Sequence, residues 1–566
     1  MTTSTNANAA SKGGKSLVFH WFRLGDMRLH DNPALQKSIL QAGNNKNIVP
    51  VFCFDPRIFG NGARSRINNE LKCGPKRAQF VLESVADLRR NLERKGSGLL
   101  VAHAKPEDFL DQLFQQLGGD DAVTNGKVIC QEEVCSEEQD VVKAVDTALR
   151  KRCASSLPLV ETVWGSTLYN IEDLPYQTGL ADLPDSFTPF RNKVEKKCEI
   201  QTPFAAPNSM KLPFAVDSPQ GKALQPHLSY MPTLQDLGYT SEQMEEAKHK
   251  SIGNLEFVGG ETAALARVEN YIWTQDRLQI YFDTRNGMLG DDYSSKLAPW
   301  LAHGNVSPRF IAKECKRYEQ ERVENKSTYW LVFELLWRDF FKFFALKHGT
   351  SLFFPGGTVG NDKKWHHYEK NLQAWKEGKT GFPLVDANMR ELAASGFMSN
   401  RGRQNVCSFL ALELNQDWRY GAEYFENILV DYDVYSNWGN WASGAGMTGG
   451  RLNRFNIVKQ SKDYDQRGDY VRHWLPELKN VPIKFVHEPW KMTQFQQMEY
   501  GCKLGVDYPN PIAKPYYPQG GGKGGNNKNG AHKGRGNNNR NKPNPNRGRG
   551  QKQDMKSLKE GKIHMK

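Results

Sequence analysis

Five short apolar runs alternate with amphipathic segments over the first 165 residues, and this alternation constrains the fold more than any other feature. The apolar runs lie at 16–22, 48–54, 98–103, 127–130 and 157–164. The amphipathic segments between them lie near 33–41, 75–95, 106–117 and 137–151. Short apolar runs separated by helical patterns indicate βαβ units, and right-handed crossovers arrange these units as a doubly wound sheet. We therefore predict an α/β domain with a parallel sheet over 17–165.

The rest of the chain divides into a connector and a helical region. Residues 166–259 are rich in Pro, Ser and Gln and have poor periodicity, and so long an irregular segment indicates a domain boundary. Beyond them, apolar residues recur at helical spacing in six segments, which predicts an all-helical domain over 260–502. The six segments lie at 262–282, 308–324, 328–347, 386–396, 401–413 and 420–431.

The two ends of the chain differ from its body in composition. Residues 1–16 are small and polar, and residues 519–566 hold 13 Lys and Arg, 2 Asp and Glu, and no aromatic residue. Subtracting these from the totals of 76 basic and 63 acidic residues leaves 63 and 61, so the net charge of +13 belongs almost wholly to the tail. Such segments bury too little surface to offset chain entropy, and we expect disorder at 1–16 and 503–566.

Composition also excludes several classes of protein. No apolar run approaches the roughly 18 residues of a membrane span, so we predict no membrane contact. The nine cysteines are scattered without zinc-ligand spacing, which favours a reducing compartment and no structural metal. We expect a monomer in the nucleus or cytoplasm, with the mitochondrion as an alternative.

Tryptophan is concentrated in the helical region, where eleven of the thirteen lie between 273 and 490. One interpretation is that the indoles pack a large helical core. The other is that some of them form a redox relay or a platform on which bases or a ring cofactor stack.

Several motifs in this region occur in a fixed order. They read YSSKLAPWLAHGNVSPR at 293–309, FELLWRD at 333–339, WKEGKTGFP at 375–383, GFMSNRGR at 396–403 and DYDVYSNWGNW at 431–441. Together with the first strand and turn at 22–35, they resemble the photolyase/cryptochrome family. The segment TRNGMLG at 284–290 and Gln404 after Arg403 resemble the cryptochrome-DASH branch in particular.

The resemblance covers about 17–490 and implies a blue-light-dependent flavoprotein. FAD would lie bent within the helical domain, and a folate antenna, 5,10-methenyltetrahydrofolate, would lie between the domains. The activity implied is that of a deoxyribodipyrimidine photolyase, which splits cyclobutane pyrimidine dimers in DNA, preferentially single-stranded, by light-induced electron transfer.

Two groups of residues match the flavin contacts of the family. The first group comprises Ser294, Ser295, Lys296 and Leu297, with Tyr281 closing the site. This group would bind the pyrophosphate, because helix N-termini suit a pyrophosphate, although a serine there can equally be an ordinary helix cap. The second, which would line the flavin ring, comprises Arg403, Asp431, Asp433 and Asn437. The alternative for the two aspartates is that they cap loops.

Three tryptophans match the family's electron-transfer chain in order and spacing, namely Trp441, Trp418 and Trp365. Trp438 could add a branch, but packing explains it better. Core packing is the alternative for each of the three. Their adjacency is implied by the resemblance alone, because they lie far apart in sequence.

The substrate cavity implied by the resemblance would use Glu334, Trp337, Asn400, Arg401 and Gln404. A dimer must be flipped out of a duplex, and a single strand lowers that cost. Trp337 would stack on the bases, Glu334 would hydrogen-bond the dimer, and Arg401 would hold a backbone phosphate. Ser443 stands where the family usually has a second aromatic wall, so repair is expected to be weaker or differently tuned.

Glu133 aligns with the carboxylate that holds the pterin ring of the folate in relatives, and the alternative is that it caps the following helix. In the tail, the KGRG and RGRG segments resemble RGG-type segments that bind DNA or RNA without sequence preference, and the alternative is a solubilising tail. For the whole chain, the alternatives to a photolyase are a blue-light photoreceptor with little repair activity and a nucleic-acid-binding protein with a vestigial flavin.

Overall fold

The computed structural model describes residues 17–43, 47–122, 126–248, 255–450, 452 and 454–515. Its N-terminal part contains one five-stranded parallel sheet of order β3-β2-β1-β4-β5. The strands are β1 Val18–Phe22, β2 Ile48–Phe54, β3 Leu100–His103, β4 Lys127–Gln131 and β5 Val160–Val163. In the register, Val18 of the central strand lies opposite Ile48 on one side and Lys127 on the other. The predicted α/β domain is confirmed.

Four helices cover the two faces of this sheet. They are α1 Pro33–Gln41, α2 Pro75–Arg94, α3 Pro106–Ala122 and α4 Ser136–Arg152. Proline at the first position of α1 and α2 suits a helix start, because its missing N–H has no intrahelical partner there. The Asn32 side chain caps α1 by accepting from the Leu35 amide at 3.0 Å. Strands β1 and β2 are buried along their whole length, as expected for a sheet covered on both sides.

The segment predicted as a connector contains three helices, α5 Phe187–Lys197, α6 Pro219–Ser229 and α7 Ser241–Ala247. Helix α6 contacts β3, and α7 contacts α2. Helix α5 instead packs on the helical domain, where Phe187, Phe190 and Val194 are buried. The connector therefore covers one edge of the sheet and then completes the core of the other domain.

The remaining described part of the chain is helical. Its helices are α8 Glu261–Glu269, α9 Tyr281–Thr284, α10 Ala298–Ala302, α11 Pro308–Glu321, α12 Lys326–His348, α13 Glu369–Lys376, α14 Pro383–Ser395, α15 Asn400–Ser408, α16 Trp418–Ile428, α17 Val434–Ala445, α18 Ile457–Tyr464, α19 Asp469–Trp474, α20 Ile483–Val486 and α21 Gln494–Glu499. The predicted all-helical domain is confirmed.

Two of the predicted helices are interrupted. The segment predicted as one helix over 262–282 leaves α-geometry at Asn270–Thr274, which forms a π turn. A second π turn, Phe409–Glu413, follows α15. Asp276 and Asn415, just beyond these turns, adopt positive φ of 53° and 49°. The left-handed backbone ends each helical run, and apolar spacing does not reveal such a residue.

The predicted start of the disordered tail at 503 is wrong. Tyr508 is fully buried, and its hydroxyl donates to Asp386 Oδ2 at 2.6 Å. Cys502 and Leu504 belong to the same apolar cluster against α14 and α19. The packed chain therefore extends to 515. The predictions for 1–16 and for the basic segment 519–566 fall outside the described residues.

Buried polar contacts join the two domains. Arg309 at the start of α11 pairs with Asp31 at 2.6 Å, and both side chains are nearly inaccessible to water. Glu261, the first residue of α8, accepts from the backbone amides of Leu29 and His30 at 2.9 Å. Because unpaired charges are costly in such a place, these contacts fix how the loop after β1 meets the helical domain.

Candidate functional site

An ion pair with a buried carboxylate lies where α15 meets the segment before α17. Arg403 Nη2 donates to both carboxylate oxygens of Asp431, at 2.9 and 2.7 Å, and Arg403 Nε donates to the Met398 carbonyl at 2.9 Å. Ser399 caps α15 through the Gly402 amide at 3.1 Å, which sets the direction in which Arg403 projects. The structure thus brings together the predicted Arg and one of the two predicted aspartates.

The second aspartate has a different neighbour. Asp433 caps α17 and lies 3.3 Å from Arg338 Nε of α12, and burial raises the pKa of its carboxyl. Asn437, one turn into α17, is 8% exposed and donates to the Ala422 carbonyl at 3.0 Å. The two predicted aspartates therefore pair with different arginines.

The segment predicted to bind a pyrophosphate is held by an arginine that sequence reasoning missed. Arg267 of α8 donates to the Ser295 carbonyl at 3.0 Å and to the Ser294 carbonyl at 3.3 Å. It also pairs with Asp292 at 2.9 Å. An arginine on an amphipathic helix gives no sequence signal for this role, because its partners are backbone carbonyls.

Lys296 and Leu297 complete this segment. Lys296 has a φ of 51°, a costly conformation for a residue with a side chain, and its ammonium donates to the Gly290 carbonyl at 2.7 Å. Burial lowers its pKa to about 8. Helix α10 begins only after Leu297, so the two predicted serines lie in the turn before the helix and do not cap it.

Tyr281 and Glu334, predicted to serve the cofactor and the substrate respectively, contact each other. The Tyr281 hydroxyl donates to Glu334, and Arg285 Nε lies 3.7 Å from the same carboxylate. Burial raises the pKa of Glu334, although the hydrogen bond from Tyr281 and the positive charge of Arg285 each act to lower it. The carboxylate is thus held among donors and keeps 39% of its side-chain surface exposed.

Trp337 lies one turn after Glu334 on α12, on the same face of the helix. It is 37% exposed, and one face of its ring stacks on Phe187 with centroids 3.7 Å apart and planes 9° apart. Phe187 belongs to the segment predicted as a connector, and sequence reasoning missed it because that segment has poor periodicity. The stack fixes the indole plane and leaves a partly exposed surface.

The other predicted DNA contacts lie on α15 and α17. Arg401 donates to Gln404 Oε1 and to Asn286 Oδ1, each at 2.9 Å, so a residue of the predicted 284–290 motif contacts this group. Asn400 and Ser443 are exposed. The structure brings Arg401 and Gln404 together, and no described contact joins them to Ser443.

Two of the three relay tryptophans share a hydrogen-bond acceptor. The Pro355 carbonyl accepts from Trp365 Nε1 at 2.9 Å and from Trp418 Nε1 at 3.2 Å. Trp418 is fully buried, whereas Trp365 is half-buried. Residues 53 positions apart in sequence therefore lie side by side, with one of them reaching the surface.

The third tryptophan, Trp441, lies across the α16–α17 contact. Its ring packs over Gly421, where an added Cβ would lie 2.2 Å from Cη2 of the indole. Gly421 is one turn after Trp418 on α16, so the missing side chain lets Trp441 approach that turn. Trp438 also touches Trp418, with centroids 5.8 Å apart. Trp441 is 3% exposed, so Trp441 and Trp418 are both buried and, of the three, Trp365 reaches the surface.

Glu133 already has partners at the domain interface. It accepts from Gln131 Nε2 at 2.7 Å and lies 3.3 Å from Lys342 Nζ of α12, whose side chain is fully buried. Although burial opposes it, the Lys342 ammonium, helped by Arg23, holds the pKa of Glu133 below its usual value. The alternative that Glu133 caps the next helix is wrong, because Cys135 is the first flanking residue of α4.

Two further expectations concern absences. In the part of the chain that the structure describes, no helix combines the length and apolar character needed to cross a bilayer. Over the same ranges, no group of three or more His, Cys, Asp or Glu side chains is placed to hold a metal ion.

Both parts of the chain match models of one class of proteins, the DNA photolyases. Residues 18–208 match the DNA photolyase model, and residues 330–516 match the FAD binding domain of DNA photolyase.

Several known proteins are similar over nearly the whole chain. Cryptochrome DASH, chloroplastic/mitochondrial, from Ostreococcus tauri is 48% identical over 89% of this chain and 91% of its own length. A protein of the same name from Arabidopsis thaliana is 42% identical over 94% and 86%. The crystal structure of a Synechocystis cryptochrome superposes with a TM-score of 0.78 at 44% identity, over 88% of this chain and 96% of that one. The chain belongs to the cryptochrome-DASH branch of the photolyase family.

The residues present fit a flavin nucleotide. The Arg403–Asp431 pair and Asn437 offer polar groups of both signs, and the chain matches a model of FAD-binding domains. Three buried polar atoms near Tyr281 and the 293–297 segment have no hydrogen-bond partner among the described residues. They are Tyr271 Oη, Tyr293 Oη and Arg285 Nε. Buried groups of this kind normally find a partner, and a polar ligand supplies one.

Proposed function

We propose that this protein is a blue-light-dependent photolyase that repairs cyclobutane pyrimidine dimers in DNA. The observation that carries the proposal is the arrangement of α17. Asn437 and Trp441 lie one turn apart on one face of that helix, and Trp441 leads through the Gly421 contact and the shared Pro355 carbonyl to Trp418 and Trp365. A buried polar group beside a chain of indoles suits a site for a redox cofactor better than it suits an ordinary packed core.

FAD, when bound, supplies light absorption and single-electron chemistry. Asn437 can donate or accept a hydrogen bond, and it therefore serves more than one protonation state of a ligand. The Arg403–Asp431 pair presents a fixed, charge-assisted dipole. Ser294, Ser295 and Lys296, with Tyr281, would hold the phosphates, and Arg267 orients their backbone.

The tryptophans would refill the site with electrons from outside. Trp441 gives up an electron, Trp418 replaces the electron that Trp441 lost, and Trp365 replaces the electron that Trp418 lost. The Pro355 carbonyl dipole points at both Nε1–H groups, so it stabilises positive charge on either indole. Because a carbonyl is a poor proton acceptor, the indole that loses an electron keeps its proton.

DNA would bind at the face that carries Trp337, Glu334 and Arg401. The exposed surface of Trp337 would stack on the dimer, Glu334 would hydrogen-bond it, and Arg401 would contact a phosphate, with Asn400 and Gln404 beside it. A flipped-out base costs less in a single strand, which supports a single-strand preference. Ser443 is exposed and cannot stack, which removes about 1–3 kcal/mol per base of pocket affinity.

The antenna site is proposed at Glu133, where 5,10-methenyltetrahydrofolate would contact the carboxylate. In the structure that carboxylate already pairs with Lys342 and accepts a hydrogen bond from Gln131. A pterin must therefore share it with Lys342 or replace Gln131, which would make antenna binding weaker than flavin binding.

We also propose weak binding of DNA or RNA by the basic tail and a monomeric state. For the compartment, the proposal is the nucleus or cytoplasm. The mitochondrion is the alternative, and the names of the Ostreococcus and Arabidopsis relatives, which read chloroplastic/mitochondrial, favour it. Imaging of the full chain fused to a fluorescent protein separates these compartments.

A second function is a blue-light photoreceptor with little repair activity. Ser443 favours it, because the pocket then holds a dimer on one aromatic wall. The relay is equally useful to a photoreceptor, since it needs only light-driven electron transfer.

One assay tests the proposal against this alternative. A single-stranded oligonucleotide with one thymine dimer is incubated with the full-length protein under blue light and in darkness. Loss of the dimer only under light, and its abolition by Trp337→Ala, supports repair. A light-dependent change in flavin absorbance with no loss of dimer selects the photoreceptor, and no change of either kind contradicts both.

A further inference from the structure

The ammonium of Lys363 lies against the outermost tryptophan of the relay. Its Nζ is 3.5 Å from the centroid of the Trp365 ring. The Lys363 amide donates to Asn361 Oδ1 at 2.8 Å, which holds the backbone at Lys363, and Trp365 Nε1 donates to the Pro355 carbonyl, which holds the indole. In the structure the ammonium therefore stands over the face of an indole that is itself held in place.

No carboxylate neutralises this lysine within ion-pair distance among the described residues. Another cation, Arg454, acts electrostatically on Lys363, and it pairs with Glu413 at 2.9 Å. Burial, and to a smaller extent Arg454, lowers the pKa of Lys363. The indole face is thus the main group that the structure offers to the ammonium.

The effect of this cation depends on the charge of the indole. A neutral indole ring attracts a cation on its face through its quadrupole. Once the ring has lost an electron it is itself a cation, and the ammonium at 3.5 Å repels it. The Pro355 carbonyl favours positive charge on Trp365 and on Trp418 alike. Of these two indoles, Lys363 has a described contact with Trp365 only.

We propose that Lys363 is a positioning residue that makes oxidised Trp365 less favourable relative to oxidised Trp418. In the step concerned, one electron passes from neutral Trp365 to the Trp418 radical cation, so Trp365 is oxidised and Trp418 is reduced. A soluble thiolate then returns one electron to Trp365. Because Lys363 disfavours the transfer from Trp365 to the Trp418 radical cation, little oxidised Trp365 forms, and the thiolate delivers electrons slowly. The inference rests on the proposed relay.

The first test needs no flavin. The full-length protein is illuminated with tris(bipyridine)ruthenium(II) and persulfate as the oxidant, and oxidation of Trp365 is measured by mass spectrometry of its peptide. We expect Lys363→Met, which keeps the length of the side chain, to raise Trp365 oxidation about two- to fivefold, the range typical of an exposed cation–π contact. Lys363→Arg keeps the charge and should match the wild type.

Lys364→Met is the matched control, because it removes the same charge from the adjacent exposed residue. Equal oxidation of Trp365 in the wild type, Lys363→Met and Lys364→Met would overturn the proposal. An equal rise in both Met variants would also overturn it, because the effect would then follow net charge.

The second test uses the FAD-loaded protein. Transient absorption follows the tryptophan radical after a blue flash in the presence of a thiol. Lys363→Met should shorten the radical lifetime about two- to fivefold relative to Lys364→Met, and equal lifetimes would contradict the proposal. If no tryptophan radical forms in the wild type while the first test succeeds, the proposed relay fails and the effect of Lys363 on Trp365 stands.

Discussion

Arg403 and Asp431 are joined by two hydrogen bonds of 2.9 and 2.7 Å in a site where the carboxylate side chain is only 4% exposed. The pair brings α15 and the segment before α17 together, and both lie beside the residues proposed to contact the flavin. A charged pair in such a place costs more to break than to keep, because each partner would be left without its countercharge.

Asp431→Asn should therefore destabilise the helical domain. Removing one partner of a fully buried pair costs about 3–5 kcal/mol, and we expect about 2–3 kcal/mol here because the Arg403 side chain is 28% exposed. Urea unfolding followed by tryptophan fluorescence measures the change. Asp140→Asn is the control, since its pair with Lys143 is exposed on both sides and should cost no more than about 0.5 kcal/mol. Equal losses in the two variants would contradict a structural role for the Arg403 pair.

Trp418→Phe should slow light-driven reduction of bound FAD strongly, because phenylalanine is much harder to oxidise than tryptophan. Absorption spectra during blue illumination with a thiol give the rate. Trp300→Phe is the control, because this buried indole also donates to a backbone carbonyl, that of Val258 at 2.8 Å, and lies outside the proposed relay. A rate for Trp418→Phe equal to that of Trp300→Phe would remove Trp418 from the relay.

Phe187→Leu should weaken binding of a dimer-containing single strand. The substitution keeps most of the volume and removes the ring that stacks on Trp337, a contact worth about 0.5–1.5 kcal/mol, so Trp337 becomes mobile and must be ordered on binding. Fluorescence anisotropy with a labelled oligonucleotide measures affinity. Phe190→Leu changes the same helix without touching Trp337. An equal affinity of both variants would show that the stack does not prepare Trp337 for bases.

His303→Gln should make the stability of the protein less sensitive to acid. The histidine is 2% exposed, its Nε2 donates to the Val430 carbonyl at 2.9 Å, and burial lowers its pKa to about 3. The unfolded chain takes up a proton near the ordinary pKa of 6.5 and the folded protein does not, so the stabilisation is present above pH 6.5 and is lost as the pH falls towards 3.

The expected size of this effect between pH 7 and 5 is about 2 kcal/mol, and glutamine keeps a donor for Val430 without titrating. The measurement is the free energy of unfolding at both pH values. Because other buried groups titrate in both proteins, only the difference between the wild type and His303→Gln is decisive. Parallel pH profiles would contradict the assignment.

Much of the fold follows from local patterns. The strands of the sheet and the four helices around it could be predicted because each apolar run is bounded by a turn, as at Asn32 and Pro33 before α1. The start of the tail could not be predicted in this way. Tyr508 lies in a stretch without helical periodicity, and its bond to Asp386, more than a hundred residues earlier, holds that stretch on the body together with the packing of Cys502 and Leu504.

The candidate site shows the same division. Arg403 and Asp431 stand in recognisable motifs, so both could be named as candidate site residues. Arg267 and Phe187 could not be found, because one binds backbone carbonyls and the other lies in a segment without periodicity. The position of the Lys363 ammonium over Trp365 is a side-chain contact that apolar spacing does not reveal.

Binding of FAD tests the central claim most directly. The full-length protein is unfolded, stripped of small molecules, refolded with free FAD and freed of excess by gel filtration, and the flavin band in the visible spectrum is compared with the protein concentration. The account predicts close to one FAD per chain, and a light-dependent loss of that band in the presence of a thiol. A colourless protein that is otherwise folded by circular dichroism would contradict it.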